Sequence, residues 1–381
     1  MDIFTNESHE KLRMKVREFA EKEIKPIAQA LDEKEQFYAP LSKRMGELGL
    51  FGITISPKYG GHGLSYLSFI IAIEELARVD SSQAAILASH NSLGIGPIYN
   101  YGTEEQKLKY LPKLCTGDAL WAFGLTETNA GSDSRGTAST AVLNGDHYLI
   151  NGSKMFISNA STEISAGVTI QVITSEKDGK KELSTIIVER GTPGYRAEKI
   201  NGKMMWRAID TARLYFDNVK VPKENLMGGI GNGSKIMLET LDSGRLTIAA
   251  MGLGLARGAY EMAAKYAQKR EQFGKPIAKF QSIAFKLADM ATKIELAKNT
   301  LYHACWLKDN GQPFAKEAAM SKLYCAEMAR EVADEALQIH GAYGLMREYD
   351  IERFYRDQRL LQIGEGTSEI LRLVISRHIG L

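Results

Sequence analysis

Twice along this chain the spacing of apolar side chains changes period, and that alternation excludes any fold built from one kind of layer. From Glu7 to about Leu31 the apolar residues Leu12, Val16, Phe19, Ile24, Ile27 and Leu31 recur close to every 3.6 positions, as one buried helical face requires. The same period predicts helices over 41–48, 65–78, 82 to about 99, and 103–114, the last opened by a Thr103-x-x-Gln106 capping box. After Trp121 the pairs Asn144-Gly145, Asn151-Gly152 and Asp178-Gly179 punctuate β-rich runs at 168–174, 183–189 and 212–216. From Ser234 the helical period returns. Long segments close near Arg270 (by Gly274 and Pro276), at Asn310-Gly311 and at His340-Gly341, and a short one begins at Thr367. The reading is an α+β multidomain protein: an all-helical N-terminal domain (1–121), a small middle β domain (122–226) and a C-terminal four-helix bundle (227–381).

Charge and cysteine usage narrow the partners. Lys plus Arg number 48 against 46 Asp plus Glu, a formal net charge of +2, so no strong field is available to hold a nucleic acid or an anionic membrane. Cys115, Cys305 and Cys325 are odd in number, far apart and set in helical patterns, which fits reduced thiols rather than a disulfide framework or a zinc site. The first ten residues lack a basic segment followed by an apolar one, and no run of 18 apolar residues occurs. The expectation is a cytoplasmic protein.

Three motifs carry chemistry. In Gly364-Glu365-Gly366-Thr367-Ser368 an acid stands between two glycines, which lets backbone and ligand approach closely on either side, while Thr367 or Ser368 can cap the helix that follows. That placement suits a catalytic base; an ordinary loop acid would be solvated. The stretch Gly124-Leu125-Thr126-Glu127-Thr128-Asn129-Ala130-Gly131-Ser132-Asp133 concentrates hydroxyls and amides around glycines, a lining for a polar planar ligand. Gln338-Ile339-His340-Gly341-Ala342-Tyr343-Gly344, continuing to Arg353 and Asp357, taken alone is a helix end followed by a charged surface segment. In the first bundle helix Gly244, Gly252, Gly254 and Gly258 each cost about 1 kcal/mol relative to Ala, so a closely packed helix or ligand must compensate.

In their order along the chain, and with Arg270-x-x-Phe273-Gly274, these motifs resemble those of the flavin-dependent acyl-CoA dehydrogenases over essentially the full length. The resemblance implies removal of an α-proton from an acyl-CoA thioester by Glu365 and transfer of a β-hydride to FAD, giving the trans-2-enoyl thioester. It also implies that electrons pass on to an electron-transfer flavoprotein. The Glu365 backbone N–H would bind the thioester oxygen. In some relatives the base sits at the position matching Gly244, which leaves Glu365 as the single candidate here. Thr126, Phe156 and Ser158 would flank the flavin, with Phe156 and Ser158 where Trp and Thr are usual; without the resemblance Phe156 would be read as a buried strand aromatic and Arg245 as a solvated charge. Ser132 would contact cofactor and pantetheine, Asp242 and Arg245 the CoA moiety, and Leu241, Gly364 and Gly366 would line the substrate site. Arg270, Phe273, Gln281 and Gln338 would reach the FAD of a neighbouring subunit, Thr367 and Glu369 the chain's own, and Gly341 would also bind cofactor, which implies a homotetramer of paired dimers.

Departures from the family pattern bear on the substrate. Gly364 replaces a Tyr found before the base in straight-chain relatives, which points to a short, branched or cyclic acyl group. Ala88-Ser89-His90-Asn91-Ser92-Leu93-Gly94, expected to floor the pocket, has no Arg or Lys for a second carboxylate. Met205 and Ile209 stand where Gly and Ser are usual. Two other readings use the same motifs: an enoyl-CoA reductase or carrier-protein-linked acyl dehydrogenase, and a non-catalytic binding or assembly protein.

Overall fold

The computed structural model describes residues 3–177 and 179–381, so Asp178 of the Asp178-Gly179 turn lies outside the described residues. The N-terminal region is helical: α1 (Glu7–Phe19), α2 (Lys25–Glu33), α3 (Ala39–Glu47), α4 (Tyr66–Ala77), α5 (Ser81–Ala88), α6 (Gly96–Tyr101) and α7 (Glu104–Leu114). The segment predicted as one helix from Glu7 is interrupted by a π-helical turn at Ala20–Ile24, and the 82–99 segment by another at Ser89–Ile95. Pro97, which has no N–H for the ladder, is the second residue after that turn, and Gly94 lies so close to the Trp121 carbonyl that a Cβ there would stand 2.4 Å from its oxygen. At the start of α7, Thr103 and Gln106 form both halves of the capping box.

The middle region is one eight-stranded sheet: β1 (Leu120–Gly124), β2 (Thr140–Asn144), β3 (His147–Ser158), β4 (Ser165–Lys177), β5 (Lys180–Glu189), β6 (Tyr195–Lys199), β7 (Thr211–Pro222) and β8 (Leu226–Met227). The order is β6-β7-β3-β2-β4-β5-β8, and β1 pairs in parallel with β4. Alternating inward residues such as Ile150, Val168, Ile170, Ile186, Leu214 and Phe216 form a core of its own.

The C-terminal helices are α8 (Gly233–Lys269), α9 (Gln281–Asp309), α10 (Ala315–His340), α11 (Ile351–Asp357) and α12 (Ser368–His378), with a small hairpin, β9 (Glu271–Gln272) and β10 (Lys275–Pro276), between α8 and α9. A single hydrophobic core runs through both helical regions. The small-residue stripe of α8 explains how: a Cβ on Gly254 or Gly258 would lie 2.2 Å from the carbonyl oxygen of Glu74 or Arg78, and one on Gly252 2.9 Å from that of Cys325. Only glycine lets those backbones meet. Every residue of α4 is buried, including Glu74 and Glu75. Those acids are neutralised from neighbouring helices, with Arg13 and Arg17 each 2.8 Å from Glu75 and the Tyr302 hydroxyl donating to Glu74 at 2.6 Å. Among the described residues no helix is long and apolar enough to cross a membrane.

Candidate active site

The site forms where the turn before α12 meets the middle of α8. Leu360 lies within a short 3-10 segment, Gln358–Gln362, its carbonyl accepting from the N–H groups of Ile363 and Gly364, and the chain then reverses through Glu365 at φ 54 and Gly366 at φ 101. A left-handed glutamate is held there against its own preference. Thr367 caps α12, its hydroxyl accepting from the N–H of Ile370, and the Ser368 hydroxyl donates to Glu327 at 2.7 Å.

The Glu365 side chain turns inward. Its Oε2 atom is buried and, among the described residues, has no hydrogen-bond partner. A Cβ placed on Gly244 would fall 2.0 Å from that oxygen and 3.1 Å from Leu93 Cδ2, so the glycine of α8 and the π-helical turn at 89–95 both border the carboxylate. Burial pushes the Glu365 carboxyl up to about 7, opposed by the cations of Lys322 and Arg245. Glu365 is thus a desolvated acid and not an ordinary solvated loop acid. Lys322, fully buried on α10, donates to the Gly366 carbonyl at 2.7 Å, and burial pushes its ammonium down to about 8. Tyr66, at the start of α4, donates its hydroxyl to the Ser243 carbonyl at 2.7 Å and is held far above the ordinary phenol range, mainly by burial, with the Glu365 charge contributing.

On α8, Leu241 and Asp242 are half-buried and Arg245 is 5% exposed, paired with Asp242; the solvated-charge reading of Arg245 is corrected. Thr126 sits beyond β1, where its carbonyl accepts from the N–H of Met155 at 2.9 Å. The loop it opens is fixed by a buried pair, Lys154 donating to Glu127 at 2.7 Å, while Glu127 also accepts from the N–H groups of Ala138 and Ser139. Ser132 is exposed on that loop. Phe156 is no buried strand aromatic: an irregularity in the β3–β7 register between Lys154 and Ile157 leaves it at φ 60 and 62% exposed, and Ser158 follows opposite Thr211.

A third group lies on exposed surface. Phe273, at φ 52 in the β9–β10 hairpin, is 94% exposed, and Gln281 opens α9 and Gln338 lies in the last turn of α10, both exposed. Gly341, at φ 60, terminates α10, and the Arg270 guanidinium lies 5.6 Å from the Tyr343 ring just beyond it. Among the described residues none of these five hydrogen-bonds to the Glu365 cluster. Glu369 is exposed in the first turn of α12. Arg353 and Asp357, expected in a charged surface segment, are instead buried: Arg353 pairs with Asp80 at 2.6 Å, and Asp357 accepts the backbone N–H of Trp206 at 2.8 Å. Nothing in the structure explains Met205 or Ile209.

Sequence reasoning missed Lys322, Tyr66 and Lys154. A lone cation in the small-residue run Ala318-Ala319-Met320-Ser321-Lys322, and another among strand apolars at Lys154, were the available signals.

Models of the acyl-CoA dehydrogenase N-terminal, middle and C-terminal domains match residues 6–118, 122–219 and 231–380. The chain is 44% identical over 379 residues to the short-chain specific acyl-CoA dehydrogenase of Clostridium acetobutylicum, with all of both chains covered. It superposes on butyryl-CoA dehydrogenase from Megasphaera elsdenii with a TM-score of 0.96 at 40% identity, all of both chains covered. The TM-score is again 0.96, at 43% identity and full coverage of both chains, for a chain from the structural study of the electron transferring flavoprotein of Acidaminococcus fermentans. With three domain models matched in order and full-length likeness in sequence and fold, the chain belongs to the acyl-CoA dehydrogenase family.

Proposed function

We propose that Glu365 is the base of an FAD-dependent acyl-CoA dehydrogenase acting on a short acyl-CoA, branched or cyclic groups included. The observation that carries this reading is the buried carboxylate oxygen of Glu365, unpartnered among the described residues and held on a left-handed turn against Gly244. A desolvated oxygen without a donor is costly unless a substrate group uses it. With its carboxyl at about 7, Glu365 is poised to accept a proton near neutral pH.

The residues present fit FAD. Phe156 stands outward on strained backbone beside Thr126 and Ser158, and these three would face the flavin. Bound there, FAD supplies the hydride acceptor for the β-carbon. The protein's own part is to hold the acyl α-carbon at Glu365, take its proton onto Oε2 and keep water out with Leu93, Tyr66 and the α8 backbone. Ser132, Asp242 and Arg245 are assigned to CoA, with Leu241, Gly364 and Gly366 at the acyl group. Electrons leave to an electron-transfer flavoprotein. Arg270, Phe273, Gln281 and Gln338 are assigned to the FAD of a neighbouring subunit in a homotetramer, Thr367 and Glu369 to the chain's own, and Gly341 to cofactor binding; the 94% exposure of Phe273 supports the assignment to a neighbour. The domain limits 1–121, 122–226 and 227–381 and a cytoplasmic location belong to the same reading, the latter supported by three buried, free cysteines.

The test is Glu365→Gln, which keeps shape and removes basicity. Acyl-CoA-dependent reduction of a dye acceptor falls by at least about 10²- to 10⁴-fold while the protein stays yellow. Turnover retained in that variant overturns the assignment.

A further inference from the structure

The turn that carries Glu365 is fastened to one face of α10 at three points. Gln362 donates its side-chain amide to the Ala326 carbonyl at 3.3 Å, Ser368 donates to Glu327 at 2.7 Å, and Lys322 donates to the Gly366 carbonyl at 2.7 Å. The first two anchors are neutral donors. The third is a cation with no exposed surface, one residue along the backbone from the base, and a neutral side chain could have made the same hydrogen bond. Burying an ammonium for that bond alone is expensive, so its charge needs a reason.

We propose that Lys322 is the positioning residue of the catalytic turn: its ammonium holds Glu365 in its left-handed conformation through Gly366 and favours the ionised carboxylate that proton abstraction requires. This rests on Glu365 being the base.

Charged and titratable groups approach Glu365 from every side. Helix α8 contributes Arg245, already paired with Asp242, and α4 contributes the Tyr66 phenol. Helix α9 contributes Lys308, which donates to the Ser243 hydroxyl at 2.9 Å, and Asp309, whose carboxylate accepts from the N–H groups of Tyr66 and Leu67. Glu327 on α10 and Glu369 on α12 add negative charge around Lys322. Arg245 shares its charge with Asp242 and Lys308 bonds to Ser243, which leaves Lys322 as the buried cation that acts most strongly on Glu365. Its loss therefore makes the base a weaker acid: a carboxyl deprived of a nearby cation ionises at higher pH.

Three replacements separate the roles. Lys322→Gln retains a donor for the Gly366 carbonyl and removes the charge; Lys322→Met removes both; Lys322→Arg keeps the charge. The readout is the carboxyl infrared band of Glu365, identified by its absence in Glu365→Gln, titrated in the FAD-loaded protein without substrate. In Lys322→Gln, and in Lys322→Met if that variant is the one that folds, the midpoint moves up by about one pH unit or more, a tenfold loss of ionised base below both midpoints. The acid limb of kcat shifts with it while KM changes less than threefold. Lys322→Arg leaves the midpoint within about 0.3 unit. An unchanged midpoint in a folded, yellow Lys322→Gln or Lys322→Met overturns the proposal and leaves the Glu365 assignment intact, because that assignment stands or falls on turnover in Glu365→Gln. A midpoint shift as large in Lys322→Arg as in Lys322→Gln also overturns it, since charge would then not be the cause.

Discussion

The carboxylate of Glu365 fills the volume that a side chain at Gly244 would need: a Cβ there would stand 2.0 Å from Glu365 Oε2. Two positions 121 residues apart in sequence therefore share one place at the centre of the site. Because the atom in the way is the end of a flexible side chain, Gly244→Ala displaces the carboxylate at little cost to the fold. The expected result is a fall in kcat of about 10²-fold, as for a misplaced catalytic group, with a melting temperature close to wild type. The shared place also means that Glu365→Gly combined with Gly244→Glu recovers activity above that of Glu365→Gly alone, measured by dye reduction under saturating acyl-CoA.

The pH dependence follows from the carboxyl of Glu365 standing at about 7. The ionised form is the active one, so kcat/KM rises with pH through about 7 and levels above it, falling about tenfold per unit on the acid side. Stability runs the other way. A folded-state value above the ordinary carboxyl value means that the folded protein binds this proton more tightly than the unfolded chain. The group's contribution therefore weakens as pH rises from about 4.5 to about 7, by up to about 3 kcal/mol. Glu365→Gln has no such term. Relative to wild type its melting temperature increases between pH 5 and pH 8, and a difference that does not grow with pH contradicts the assignment of that burial.

Lys154 and Glu127 form a buried pair that ties β3 to the loop 124–136. Lys154→Met strips the acid of its cation and leaves two backbone donors to satisfy it. A loss of about 3 kcal/mol is expected, as for a buried ion pair broken on one side, together with weaker retention of FAD. Denaturant unfolding and the flavin-to-protein absorbance ratio after gel filtration measure the two effects.

Gly364 has ordinary surroundings: a Cβ there would lie 3.5 Å from Leu360 Cγ and 3.6 Å from the Leu360 carbonyl oxygen, both ordinary van der Waals contacts. Nothing in the protein demands glycine, so Gly364→Tyr folds with a stability change within about 0.5 kcal/mol, as an unclashing substitution should. The ring then occupies space open to substrate, and kcat/KM for isobutyryl-CoA drops at least tenfold more than for butyryl-CoA. An equal drop for both shows that position 364 does not set the acyl shape.

What the sequence made legible was local. The Thr103–Gln106 capping box, the helix ends at Gly311 and Gly341, and the Gly-Glu-Gly turn all follow from rules that act within a few residues. What stayed hidden depends on distant partners. The π-helical turn at Ser89–Ile95 reflects the Trp121 carbonyl pressing on Gly94, and the start of α4 is capped by Asp309 from α9. The exposure of Phe156 comes from a register irregularity against β7, which no period in β3 records. Glu365 could be read as a base from its neighbours in sequence, but its desolvation could not, because Gly244, Leu93 and Lys322 come from three other segments.

Phe156, Phe273 and Glu365 each stand on left-handed backbone that glycine would occupy more comfortably, by about 1 to 3 kcal/mol per position. Directed evolution scored only on heat resistance would favour glycine at all three and arrive at a sturdier, inert polypeptide. Libraries built to toughen this molecule should therefore keep those codons fixed and vary the helix surfaces instead.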